Sequence, residues 1–125
     1  MADATGPPEE ARQARRAPLL EISNGVVGLH KRYYGKGPES CRAIYQGDVV
    51  VVVLRGTFTP LESTLVESGR AETVLEQRRA LQEVVEDEMK LLVRTAVGRP
   101  VEAYLSANHV DPDAQVDVFL LERMD

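Results

Sequence analysis

The chain has 125 residues, of which 43% are apolar, and its formal net charge is −5. This is the length of one ordinary domain, and the net acidity argues against a nucleic-acid-binding surface, which is built from clustered Lys and Arg. The longest apolar run is Val49 to Leu54, whereas a membrane-spanning helix needs about 20 residues. The single cysteine, Cys41, permits no intramolecular disulfide and fits a reducing compartment. We therefore expect a cytoplasmic protein without a membrane span and without a nucleic-acid partner.

Residues 1–17 contain prolines, a glycine and several charged residues but almost no large apolar side chain. This is too little hydrophobic area to offset the entropy of ordering, so we expect a disordered tail at 1–17 and a single domain at 18–125. From residue 18 onward, apolar residues recur at helical spacing; they are Leu19, Ile22, Val26, Leu29 and Tyr33. The pattern predicts a helix over residues 18–34, ended by the sequence Gly35-Lys36-Gly37-Pro38.

A β-hairpin is predicted next, with strands over residues 41–46 and 48–55 and a turn at Gly47. Every residue of Val49–Leu54 is apolar, so this strand lacks the alternation of a strand with one wet face. Both of its faces must be covered. Because one helical layer covers only one face, the other face needs either further chain or a second subunit. We prefer a self-associating sheet face and hence a homodimer.

Two helices follow the hairpin. In Thr59-Pro60-Leu61-Glu62, Thr59 is the predicted N-cap, Pro60 suits the first turn, and Glu62 closes a capping box. We expect this short helix to end near Gly69. A longer helix, ending before Gly98, is predicted from one apolar stripe, which consists of Val74, Leu81, Val85, Met89, Leu92 and Ala96.

The last two predicted strands, over about 101–109 and 115–122, flank the turn-forming sequence Asp111-Pro112-Asp113. The element order is therefore helix, two strands, two helices and two strands. This order predicts an α+β two-layer sandwich in which helices cover one face of a four-stranded, mainly antiparallel sheet.

The chain has no P-loop, dinucleotide-binding, zinc-protease, nucleophile-elbow or CxxC motif. We therefore predict no enzymatic activity, no catalytic residue and no cofactor. His109, Asp111 and Asp113 alternate near a turn, but turn formation explains the two aspartates and no fourth ligand is evident, so no metal site is predicted.

Four residues are candidates for binding a small ligand or ion: Lys36, Arg55, Asn108 and His109. They are expected in loops or at strand ends, where α+β domains commonly place their sites. The loop with Lys36 follows a helix C-terminus, whose dipole disfavours an anion. A simple helix stop is therefore the preferred interpretation of that loop.

Structural roles are expected for three residues. His30 lies between apolar positions of the first helix, and we expect it to be partly buried with one hydrogen bond. For Arg55 we weigh an ion pair with Glu62 against contact with an anion, and we favour the ion pair. Cys41 is expected to be a small core residue rather than a reactive thiol.

Three segments of the chain resemble a bacterial family first described as a domain of unknown function. They are ISNGVVGLHKRYYGKGPES at 22–40, VVVVLRGTFTPLESTLVESGR at 50–70 and LSANHVDPD at 105–113, which VFLLE follows at 118–122. The family is the MpsC-like family, named for the C subunit of a Na+-translocating membrane-potential-generating system. The positions that match the family are Asn24, His30, Tyr33, Gly35, Gly37, Pro38, Arg55, Thr59, Pro60, Glu62, Glu67, Gly69, Asn108, His109, Asp111 and Asp113.

The resemblance implies a link to cation-driven or bicarbonate transport in the bacterial cytoplasmic membrane, and it assigns no chemical role to any matching position. A chain without a membrane span provides no ion path of its own. The first hypothesis is therefore a non-enzymatic accessory or regulatory module, a homodimer in the cytoplasm or peripheral to the inner face of the membrane, that docks on a membrane transport protein. The alternative is a small-ligand or ion-binding domain, with or without enzymatic activity, whose site gathers the four candidate residues.

Overall fold

The computed structural model describes the backbone of residues 9–124 and the side chains of residues 16–124. Seven elements follow one another: α1 (Glu9–Tyr34), β1 (Ser40–Gln46), β2 (Val49–Arg55), α2 (Pro60–Glu67), α3 (Ala71–Val97), β3 (Val101–His109) and β4 (Ala114–Leu121). This is the predicted element order, and the predicted α+β sandwich is confirmed.

Helix α1 begins at Glu9, nine residues before the start predicted at residue 18. The residues from 9 to 17 are Glu, Ala, Arg and Gln, which have high helix propensity, whereas the prediction relied on apolar periodicity. Pro18 lies inside the helix, where it removes one backbone hydrogen bond without ending the helix. The predicted tail therefore overlaps α1 at residues 9–17, and its residues 1–8 lie outside the described residues.

The four strands form one antiparallel sheet in the order β1-β2-β4-β3. Its register is shown by one row of residues that crosses all four strands, in which Ile44 pairs with Val51, Val51 with Val118, and Val118 with Leu105. Strands β2 and β4 are thus central, and β1 and β3 are the edges. The β1–β2 hairpin turns at Gly47, whose φ of 58° lies in the left-handed region that glycine adopts without strain.

The core lies between the sheet and a layer formed by α1 and α3. Alternate strand residues face the helices, and Val50, Val52, Leu54 and Phe119 are fully buried there. The helices contribute the other buried core residues, namely Ile22, Val26, Val85, Met89 and Val93. Each such side chain stabilises the fold by roughly 1.5–3 kcal/mol. The helices cover this face only, as predicted.

Helix α2 starts with the predicted capping box. Thr59 Oγ1 accepts a hydrogen bond from the Glu62 backbone N–H at 3.1 Å, and the Glu62 carboxylate accepts one from the Thr59 N–H at 3.0 Å. Glu62 is also the buried residue of α2. Helix α3 ends as predicted at Gly98, whose φ is 72° and whose N–H bonds the Arg94 carbonyl.

Alanine substitutions at two glycines of α1 test how closely α1 packs against α3. A Cβ atom at Gly25 would fall on the Leu92 side chain, whereas a Cβ atom at Gly28 would meet nothing. We expect Gly28→Ala to raise the free energy of unfolding by about 0.5–1 kcal/mol through helix propensity. Gly25→Ala has the same propensity gain but overpacks the contact, at a cost of about 1–3 kcal/mol. Urea unfolding of both variants measures the difference, and equal effects would contradict the close approach.

Candidate functional site

A buried guanidinium forms the centre of a polar cluster on the helix side of the sheet, at the end where β2 and β3 finish. Arg78, on α3, is only 1% exposed. Its Nε and Nη2 atoms donate to the two carboxylate oxygens of Glu62 at 2.9 and 2.7 Å, which is the bidentate geometry of a strong Arg–carboxylate pair. Both side chains of this ion pair are almost completely buried.

The remaining N–H groups of Arg78 bind three further segments. Nη2 donates to the Thr57 carbonyl at 3.1 Å, and Nη1 lies 2.9 Å from Thr57 Oγ1. Nη1 also contacts the side-chain oxygens of Asn108, at 3.0 Å, and Gln115, at 3.2 Å. The rings of Tyr34 and Phe58 flank the guanidinium at 4.5 and 5.2 Å. All five N–H groups of Arg78 are therefore engaged.

The sequence analysis missed Arg78, although the sequence contains a signal. The apolar stripe of α3 steps by seven residues from Val74 to Leu81, and Arg78 fills the helical position between them. A charged residue on a buried stripe needs a buried partner. The predicted pairing of Arg55 with Glu62 was wrong, because the carboxylate of Glu62 is held by Arg78 while Arg55 ends β2 as an exposed residue.

His30 packs beside this centre. It is 7% exposed, and its ring stacks on Tyr34 with centroids 5.0 Å apart. Its burial is confirmed, but the expected hydrogen bond is absent from the described residues, since buried Nδ1 has no partner. Burial, and then the charge of Arg78, lowers the pKa of His30 to about 4, although Glu62 opposes this effect. His30 is therefore neutral at pH 7.

His30 also lines a small cavity. The cavity has a volume of about 30 Å³, and its polar lining comes from His30, Tyr33, Tyr34, Gln82, Tyr104 and Gln115. This volume holds about two water-sized species and is too small for a metabolite.

A second buried acid, Asp117, lies on β4 and is fully buried. Its carboxyl group accepts hydrogen bonds from Ser106 Oγ at 2.5 Å and from Gln115 Nε2 at 3.1 Å. Burial raises the pKa of Asp117, and hydrogen bonds from Ser106, Gln115 and Tyr104 oppose that rise. Gln115 thus connects this carboxyl group to Arg78.

The structure places the four predicted ligand-binding residues at one end of the sheet but not in one site. Asn108 faces the helices and accepts from Arg78. Lys36 Nζ donates to the carbonyls of Gly56 and Phe58, at 3.2 Å each. Arg55 and His109 lie in one row of the sheet with Ala114 between them, on the face opposite the helices. Ligand binding by these four residues stays a prediction.

Several of the other family-motif positions support this centre. Asp113 accepts from Thr57 Oγ1 at 2.9 Å and from the Phe58 N–H at 2.8 Å, which holds the loop between β2 and α2. Tyr33 bonds Glu88, which also pairs with Arg32. The glycines Gly35 and Gly69 have positive φ values at the ends of α1 and α2. The side chains of Asn24 and Glu67 make no hydrogen bond among the described residues.

The sheet face opposite the helices is apolar, and we call it the open face. Its apolar side chains come from alternate positions of all four strands, namely Ile44, Val49, Val51, Val53, Ala103, Leu105, Ala107, Val116, Val118 and Leu120. Val116 is 37% exposed and Leu105 is 54% exposed. A solvated sheet face normally carries polar residues at these positions.

Reactive groups are scarce in the described part of the chain. Burial, followed by the charge of Asp117, raises the pKa of the Cys41 thiol to about 11, so Cys41 is not a nucleophile at pH 7. It packs against the core, as predicted. Among residues 16–124, no group of three or more His, Cys, Asp or Glu side chains is arranged to hold a metal ion.

Comparison with known protein families identifies the chain. Residues 19–123 match the family described as "Na+-translocating membrane potential-generating system (MpsC)". The chain belongs to the MpsC family. No curated protein and no solved structure matches it. No helix in the described part of this MpsC chain is both long and apolar enough to cross a membrane.

The Arg78–Glu62 pair can be tested by removing one partner. We expect Arg78→Met to lower the free energy of unfolding by about 3–5 kcal/mol, because it leaves Glu62 buried without its cation. The control is Arg79→Met, since the Arg79 side chain is 61% exposed in its pair with Glu72 and should contribute within about 0.5 kcal/mol. Urea unfolding measures both variants, and similar losses would contradict the central role of Arg78.

His30 should make the stability of this MpsC domain depend on pH. Its pKa is about 4 in the fold and 6.5 in the unfolded chain, so the unfolded chain binds more protons between these values. The free energy of unfolding should therefore rise from pH 4 to 6.5, and this contribution, on the order of 3 kcal/mol, is lost as the pH falls. Asp117, with its raised pKa, acts in the opposite direction.

Comparison with His30→Phe isolates the histidine, because Asp117 and Glu62 titrate in both proteins. Urea unfolding at several pH values from 4.5 to 7 should give a steeper rise for the wild type than for the variant. Parallel curves would show that His30 does not carry this pH dependence.

Proposed function

We propose that this protein is a non-enzymatic accessory subunit of a bacterial Na+-translocating membrane-potential-generating system. In this proposal it is a cytoplasmic homodimer that docks on a membrane transport protein at the inner face of the membrane. The observation that carries the proposal is the match of residues 19–123 to the MpsC family. The name of that family refers to the whole system. The accessory role is inferred from the interior of the domain and from its open face.

The interior of the domain supports a structural rather than a catalytic role. All donors of Arg78 are paired, so none is left to stabilise a developing charge on a substrate. The cavity beside His30 has room for about two water-sized species. The buried polar groups thus hold the domain together and leave its surface for recognition.

The open face supports the homodimer. Four strands spaced about 4.8 Å apart and about seven residues long make a face of roughly 19 Å by 23 Å, or on the order of 440 Å² per copy. This lies within the range of the largest apolar patches that monomers expose. Two such faces would bury about 880 Å², close to the roughly 1,000 Å² that a specific interface needs.

The homodimer can be tested by placing a charge on the open face. We expect the wild type to sediment as a dimer and Val116→Lys to sediment as a monomer, because the lysine would be desolvated in the interface. Val84→Lys is the matched control, since Val84 is 71% exposed on α3, away from the sheet. A wild type that sediments as a monomer at micromolar concentration would refute the homodimer.

The transport role requires a test in the native bacterium. Cells that lack this protein should show a reduced Na+-dependent membrane potential in a voltage-sensitive dye assay. Wild-type protein and Val84→Lys should restore it, and Val116→Lys should not. A tagged wild type should also recover a defined membrane transport protein from detergent-solubilised membranes. An unchanged membrane potential in the deletion strain would contradict the accessory role.

A further inference from the structure

The open face is bounded by opposite charges at its two ends. At one end, Arg55 lies in the last row of β2, and Arg42 of β1 pairs with Val53, two rows further in. Both arginines are exposed, and neither makes an ion pair among the described side chains. We call this the cationic end.

The other end carries acidic residues. Glu102 is exposed in a bulge of β3 between Val101 and Ala103. Glu122 directly follows β4, and because Leu121 is buried against the helices, alternation places the Glu122 side chain on the open-face side. Both acids are exposed. We call this the acidic end, and it lies roughly 20–25 Å from the cationic end along the strands.

Other charges lie near the two ends. Near the acidic end, Asp48 forms an ion pair with Arg99, and exposed Arg123 follows Glu122 beyond the end of β4. At the cationic end, Asp113 is bound by Thr57 and the Phe58 N–H, Asp111 lies in the turn beyond His109, and the Glu39 carboxylate lies beside Gly56.

Two identical sheets whose strands stay aligned can pack face to face about a two-fold axis in either of two directions. An axis parallel to the strands places the cationic end of one copy over the cationic end of the other, so the Arg55 residues of both copies approach each other. An axis perpendicular to the strands reverses the partner, so each cationic end lies over the partner's acidic end. Like charges across an interface oppose association, and opposite charges fix its register.

We propose that the second copy packs on the open face with its strands reversed, so that Arg55 of each copy lies against Glu122 of the other. This inference rests on the proposed homodimer and specifies its symmetry axis, which the homodimer alone does not determine. In this arrangement the row of Ile44, Val51, Val118 and Leu105 lies near the axis, where apolar side chains of both copies meet. The strands of the two sheets stay within about 30° of each other, as in other aligned sheet packings.

A charge-swap cycle tests the arrangement. The dimer dissociation constant is measured by sedimentation equilibrium at low salt for the wild type, Arg55→Glu, Glu122→Lys and the double variant. Each single variant should weaken the dimer about 2- to 20-fold, because two symmetric, rim-exposed pairs become repulsive. The double variant should return to within about twofold of the wild type. Arg79→Glu, on the exposed surface of α3 away from the open face, is the matched control and should leave the constant unchanged.

The outcomes separate the two proposals. Recovery in the double variant supports the reversed arrangement. A stable wild-type dimer in which the two substitutions act independently, or in which Arg55→Glu tightens the dimer, overturns the arrangement and leaves the homodimer standing. A monomeric wild type overturns both.

Discussion

A buried guanidinium must have every N–H group paired, and Arg78 imposes this requirement on most of the domain. Its partners come from the loop after β2, from α2, from β3 and from β4, and aromatic rings from α1 and the same loop flank it. Because the pair with Glu62 is the buried contact of α2, the position of that helix depends on one charged interaction. The cost of desolvating both charges is recovered only when all of these partners are in place, so the segments around Arg78 must assemble together.

Two buried groups near this centre have shifted pKa values, in both cases mainly because of burial. His30 is kept neutral by burial and by the adjacent charge of Arg78, and Asp117 is an acid with a raised pKa on a central strand. The buried polar groups Arg78, Glu62 and Asp113 hold α2 and the loop between β2 and α2 against the sheet. On the surface, the open face presents apolar side chains from all four strands.

Much of the fold could be predicted from local sequence signals. The capping box at Thr59, the glycine at the end of α3 and the β1–β2 turn depend on residues within a few positions of each other, so short-range chemistry defines them. The start of α1 was placed too late because helix propensity, not apolar spacing, extends it to Glu9. For the site, residue type suggested candidates in loops and at strand ends. It did not suggest Arg78 or Asp117, because each has the burial of an apolar residue, and the partners of Arg78 are 16 or more residues away.

The sequence by itself determined the elements, their order, the α+β class and the presence of an unusually apolar strand, Val49–Leu54. It also carried the family resemblance in three blocks that are distant from each other in the chain. Only the tertiary structure decided that Glu62 pairs with Arg78 and not Arg55, that Asn108 and His109 face opposite sides of the sheet, and that the charges of the open face separate to its two ends. The physical reason is strand register: a shift of one residue moves every side chain to the other face, and register is set by long-range pairing that no local pattern encodes.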